Sequence, residues 1–313
     1  MLASFVAVLI ASFTLMRLFA GLRPATAQVA GVTEAAVLLP WELAQQLVLA
    51  GVAVGGVALA APAALRLRGQ RDARGRRACG ECVPRDGGWV RAAGLPSRFL
   101  VVGVLMVGMI GGVLSLGLGG GFSGEGAAFE LVFRLDVIGA QADMVLRGLP
   151  GSLAACVGFA LLCLLTGVYE EAFLRVLGTS LFEGAFRERG LSGPGTLLAA
   201  AFTTSALFAL LHVSTPAADA GGAGWMQAAL RFVQTFSFGM CMAALFVRTG
   251  RLVPCALAHA GFNLLYLGAR FTLEPTYGSG APPETALLAV TATLLAGVAV
   301  WAWVHFAERR SAR

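Results

Sequence analysis

Apolar stretches of about twenty residues recur along this chain, each closed by arginine, glycine or proline. A run of that length crosses a bilayer as a helix, because hydrocarbon offers no water to satisfy an exposed backbone. The expected spans lie near 5–22, 41–65 and 99–118, then from about Pro150 through Glu170 and Glu171, then near 194–213, 226–246, 252–271 and 286–306. The fold class this predicts is all-α, a polytopic membrane helical bundle with about eight transmembrane helices. Composition agrees, with 58% hydrophobic and 13% charged residues, against about 25% charged in a soluble domain.

Charge placement gives a topology. All 23 basic residues are arginine and the net charge is +6. Most of it lies between spans, where it sets orientation and does not imply nucleic acid. The 66–98 loop, the turn with Arg187 and Arg189, the turn with Arg248 and Arg251, and the C-terminus are all basic. These are alternate connections, so both termini are expected in the cytoplasm of an inner-membrane protein of bacterial type. The start of the first span carries no positive charge, so it reads as a membrane helix despite a cleavage-like Ala25-Thr26-Ala27.

The expected organisation is an N-terminal membrane region over 1–148, a core over 149–271, and a last span with a basic tail over 272–313. Within the first region, residues 125–148 are expected to lie in the interface as an amphipathic helix. There Phe129, Val132, Phe133 and Val137 oppose Glu130, Arg134, Asp136 and Asp143. Cys156, Cys163, Cys241 and Cys255 read as small buried hydrophobes. Cys79 and Cys82 form a single CxxC in the arginine-rich loop, which without a second pair reads as solvated loop.

The chemistry concentrates in residues 166–175. Glu170, Glu171 and Arg175 interrupt sequence that is otherwise suited to lipid. Each such charge costs about 2.5–3.5 kcal/mol on insertion scales. Glu171 and Arg175 are four apart and can pair on a helix. Glu170 lies about 100° around the helix from Glu171 and is left to face a cavity. A purely structural ion-pair cluster fits this stretch equally well.

Two histidines lie in other apolar spans. Phe208 and His212 are four apart, as are His259 and Asn263. A lone membrane histidine usually serves a helix–helix hydrogen bond. Here there are two, with a carboxylate and an amide on neighbouring spans. A glutamate bonded to histidine can take a proton from water, and a histidine with an asparagine amide can stabilise an oxyanion. Together they could hydrolyse a peptide bond without a covalent intermediate. The third histidine, His305, near the end of the last span, reads as inert.

The series Glu170-Glu171-x-x-x-Arg175, Phe208-x-x-x-His212 and His259-x-x-x-Asn263 resembles the three motifs of the CPBP family. That family comprises intramembrane endopeptidases, among them CAAX-processing proteases and bacteriocin-maturation or self-immunity proteins. The resemblance covers roughly 150–271 and includes the Thr249-Gly-Arg-Leu-Val-Pro254 turn. It implies that Glu170 and His212 activate water, His259 and Asn263 hold the oxyanion, and Glu171 and Arg175 support them. The implied substrate is a membrane-associated or lipidated protein or peptide, and the implied setting is the lipid bilayer.

Residue counting gives one test. Glu170 and His212 are each about 30 Å from the turn near Gly190, hence level with each other. His259 is only about 12 Å from the Arg251 turn and comes out too shallow. Either the hairpin around 187–193 extends out of the membrane or the seventh span starts displaced. Glu170, Glu171, His212 and His259 are possible zinc ligands, but no HExxH occurs, and glutamate-activated water without metal is the preferred chemistry. The alternatives are a non-catalytic immunity or partner-binding protein of the same fold, and a proton-coupled transporter, which would be expected to show internal repeats.

Overall fold

The computed structural model describes residues 2–21, 41–60, 95–118, 130–137, 140–147, 149–191, 194–213, 221–266, 270–272 and 284–311. The helices are α1 (Leu2–Gly21), α2 (Trp41–Ala60), α3 (Leu95–Leu118), α4 (Leu149–Glu170), α5 (Thr179–Glu188), α6 (Pro194–His212), α7 (Gly221–Thr249), α8 (Leu252–Tyr266) and α9 (Glu284–Ser311). A π-helical stretch, Glu171–Gly178, joins α4 to α5. Among the described residues, six helical spans are long and apolar enough to cross a membrane, one of them running continuously over Val157–Glu188. Two shorter apolar helices, Ala3–Phe19 and Leu252–Tyr266, complete the set. These coincide with the eight expected spans, except that α8 stops at Tyr266.

The bundle presents apolar side chains outward and holds its polar ones inside. Leu59, Leu210, Val253 and Val300 are exposed, while Glu170, Glu171, Arg175, Ser205, Gln234, His259 and Thr291 are buried. That distribution suits lipid outside and a functional interior. Helix α4 packs on α8, α7 on α6 and α9, and α3 on α8 and α9. Glycines let α3 and α8 approach closely: a Cβ at Gly108 would stand 3.2 Å from the Phe262 carbonyl oxygen, and one at Gly112 would strike that of Leu265. Small residues at a crossing serve this purpose in membranes, where van der Waals contact drives association.

The segment expected as an interfacial helix is instead a hairpin. Strands β1 (Glu130–Val137) and β2 (Ala140–Arg147) pair antiparallel from Glu130↔Arg147 to Val137↔Ala140. A short β3 (Arg270–Thr272) adds to β1, giving the order β2-β1-β3. The sequence carries the reason. Leu131, Phe133, Leu135 and Val137 alternate with Glu130, Arg134 and Asp136, which is period two, and Gly139 falls in the two-residue connection. Ala25–Ala27, Cys79 and Cys82 lie outside the described residues. Cys163, Cys241 and Cys255 are buried free thiols, as expected.

Candidate active site

The first component is a change of helix type. Helix α4 ends at Glu170 and the wider π turn starts at Glu171. The Thr179 N–H donates to the carbonyl of Leu174, five residues back, and its hydroxyl reaches the same oxygen at 3.3 Å. Such π turns are rare and concentrate at functional sites. On this turn Arg175 Nε lies 3.3 Å from Glu171 Oε2, with both side chains 0% exposed. The guanidinium carbon sits 5.2 Å from the Phe208 ring centroid, a cation–π contact strengthened by the absence of water. Gly239 on α7 makes the room, since a Cβ there would stand 3.2 Å from Arg175 Nη2.

A tight turn and a close crossing position the second component. Helix α7 ends at Thr249, and Gly250 takes φ +62° while its N–H donates to the Phe246 carbonyl at 2.7 Å. That left-handed cap is the conformation glycine adopts most readily. Helix α8 then runs against α4 at Gly167, where a Cβ would stand 2.7 Å from the Ala256 carbonyl oxygen and 3.2 Å from the Ala260 nitrogen. This approach brings His259 Nδ1 within 2.8 Å of Glu171 Oε1 and its Nε2 within 3.4 Å of Glu170 Oε2. Phe238 packs edge-on against the same ring, at 4.7 Å between centroids.

From α6, His212 Nδ1 lies 2.8 Å from the Phe208 carbonyl oxygen, and Nε2 lies 3.7 Å from Glu170 Oε1. A carbonyl only accepts, so Nδ1 of His212 carries the hydrogen. An ionised Glu171 likewise only accepts, so His259 donates to it from Nδ1. With both Nδ1 hydrogens committed, the two Nε2 atoms turn their lone pairs toward Glu170, itself an acceptor. Three acceptors facing one another are bridged by a hydrogen, from a water or an added proton, or by a cation.

Glu170, His212 and Asn263 line a cavity of about 60 Å³, together with Thr166, Arg231 and Gln234. A space of that size holds water, which needs only about 10–15 Å³ of such volume. Glu170 Oε2 is buried and has no hydrogen-bond partner among the described residues. Asn263 follows His259 by one helical turn and lines the same space. The structure therefore brings Glu170, Glu171, Arg175, His212, His259 and Asn263 to one place. His305 lies apart, stacked on Trp301.

The depth discrepancy for His259 is explained by the α5–α6 hairpin. The continuous helix over Val157–Glu188 has 32 residues, about 48 Å at 1.5 Å each against a hydrocarbon core of about 30 Å. At its far end residues 187–190 are exposed and Arg187 is paired to Glu183. The hairpin thus projects beyond the shorter α7–α8 turn, and the two histidines meet at one level. Among the described residues, no group of three or more His, Cys, Asp or Glu side chains is arranged to hold a metal ion.

Residues 152–265 match the family model described as type II CAAX prenyl endopeptidase, Rce1-like. This segment is similar to that family over 114 of the chain's 313 residues. The matched segment holds all six converging residues. No curated protein matches the chain.

Sequence reasoning placed the ionisable members of this site but gave no role to its supports. Gly167 and Gly239 were hidden among 41 glycines. Gln234 and Tyr266, which also line the cavity, were overlooked, although a glutamine inside an apolar span is itself a signal. Arg231 stood out near the start of the sixth span without an assigned function, and it too lines the cavity.

Proposed function

We propose that this protein is an intramembrane endopeptidase that hydrolyses a peptide bond of a membrane-associated or lipidated protein or peptide. The observation that carries the reading is Glu170. Its two oxygens lie 3.7 Å from His212 Nε2 and 3.4 Å from His259 Nε2, on a water-sized cavity that also receives Asn263.

A water placed among these acceptors has its hydrogens held and its lone pair directed into the cavity. Glu170, with His212, takes a proton as the oxygen attacks the scissile carbonyl carbon. The carbonyl oxygen becomes an oxyanion, held by the Asn263 amide and by His259 when an added proton resides on Nε2. The C–N bond then breaks, and Glu170 returns its proton to the leaving amine. Glu171 orients His259 and Arg175 balances Glu171. In this reading 149–271 is the catalytic core, 1–148 governs substrate entry, 272–313 closes the bundle, and the basic loops and both termini face the cytoplasm.

The test is proteomics of new C-termini in cells carrying wild type or Glu170→Gln. Fragments that depend on Glu170 support the reading. Identical C-termini in both strains would instead favour a non-catalytic partner-binding role.

A further inference from the structure

The hydrogen inventory on the far side of the cavity points to another residue that touches substrate. The Thr291 hydroxyl lies 2.8 Å from the Leu287 carbonyl oxygen, four residues back, and donates to it. Its oxygen can therefore only accept from Gln234 Nε2, 2.6 Å away. The other contact of the same Nε2 is the Tyr266 hydroxyl oxygen, at 2.8 Å. An amide nitrogen has two hydrogens, and both are now used. Tyr266 accepts one of them, so its own hydrogen must be donated elsewhere.

Tyr266 lines the same cavity as Glu170, His212 and Asn263. It follows His259 by seven residues and Asn263 by three, which places all three on one face of α8. Its ring is held by stacking on Phe262, with centroids 5.3 Å apart. Gly111 of α3 leaves room for it, since a Cβ there would stand 2.7 Å from Tyr266 Cε2. Among the described residues, no protein acceptor takes the remaining hydrogen.

We infer that the Tyr266 hydroxyl donates a hydrogen bond to a backbone carbonyl oxygen of the bound peptide, and that Gln234 is the positioning residue that keeps this donor aimed into the cavity. This rests on the endopeptidase reading. It adds to that reading a contact that sets where the peptide lies along α8 relative to Glu170.

The experiment uses purified full-length protein in proteoliposomes and a synthetic peptide spanning a cleavage position mapped by the C-terminal proteomics. Tyr266→Phe keeps the ring and removes only the O–H. It is expected to lower kcat/KM about tenfold, the typical value of one hydrogen bond, with an unchanged Tm. Gln234→Glu replaces the donor with an acceptor that captures the Tyr266 hydrogen. It should lower kcat/KM by a similar factor, and the double variant should fall no further. Wild-type kcat/KM in Tyr266→Phe, while Glu170→Gln is inactive on the same peptide, overturns the inference and leaves the endopeptidase reading standing. An additive double variant overturns the positioning role of Gln234. Absence of any Glu170-dependent C-terminus rejects the endopeptidase reading, and this inference with it.

Discussion

Nδ1 of His259 donates to Oε1 of Glu171 across 2.8 Å, with Glu171 fully buried and His259 only 3% exposed. That bond sets the imidazole so that Nε2 faces Glu170. The π turn that begins at Glu171 thus governs a ring on a helix 88 residues further along the chain. The following expectations are argued from this geometry.

Glu171→Gln should nearly abolish cleavage. An amide oxygen can still accept from Nδ1, but the carboxylate that favours that tautomer is gone and Arg175 loses its counter-charge. By analogy with other histidines that lose a carboxylate partner, the drop in kcat should be roughly a hundredfold or more. Steady-state cleavage by folded variant checks it, and activity within a few-fold of wild type would contradict the orienting role.

Arg175→Met should be primarily a stability variant. It leaves Glu171 as a buried charge with no cation beside it, at a cost of about 3–5 kcal/mol. Arg175→Lys should rescue little, because an ammonium lacks the planar group that lies over Phe208. Thermal unfolding followed by size-exclusion chromatography in detergent measures both.

The eight apolar helices, six of them long enough to cross a membrane, and the six converging residues were legible because each carries a one-dimensional signal. Runs such as 99–118 are long and unbroken. Pairs such as His259 and Asn263 are four apart and polar where lipid penalises polarity. The π turn was not legible, because nothing in Glu-Ala-Phe-Leu-Arg forecasts a hydrogen bond that skips to the fifth residue. The depth of His259 was not legible either, since it depends on how far the α5–α6 hairpin projects. The hairpin at 130–147 was legible and misread: its charges satisfy a helical stripe loosely, whereas Leu131, Phe133, Leu135 and Val137 satisfy period two strictly.

Gly167→Ala should be harmful although alanine favours helix. The added methyl would stand 2.7 Å from the Ala256 carbonyl oxygen and push α8 away, costing about 1–3 kcal/mol and separating His259 from both glutamates. Gly184→Ala is the control, since a Cβ there meets nothing within 4 Å. It should be neutral or stabilising by up to about 1 kcal/mol. Equal behaviour of the two variants in Tm and cleavage would contradict the close-crossing argument.

Treatment with a strong zinc chelator, followed by its removal, should leave cleavage unchanged, because the mechanism draws its nucleophile from Glu170 and water. Activity that disappears with the chelator and returns with zinc alone would transfer Glu170, His212 and His259 to a metal-binding role.

The central claim is that Glu170 is the base. Its most direct test is the rate of peptide cleavage by purified wild-type protein and Glu170→Gln, reconstituted side by side at equal folded concentration. The glutamine keeps the shape and burial of the side chain and removes only its ability to accept the proton of water. The account predicts product from the wild type and none above the protein-free blank from Glu170→Gln. Product from Glu170→Gln at a rate near that of wild type would contradict it.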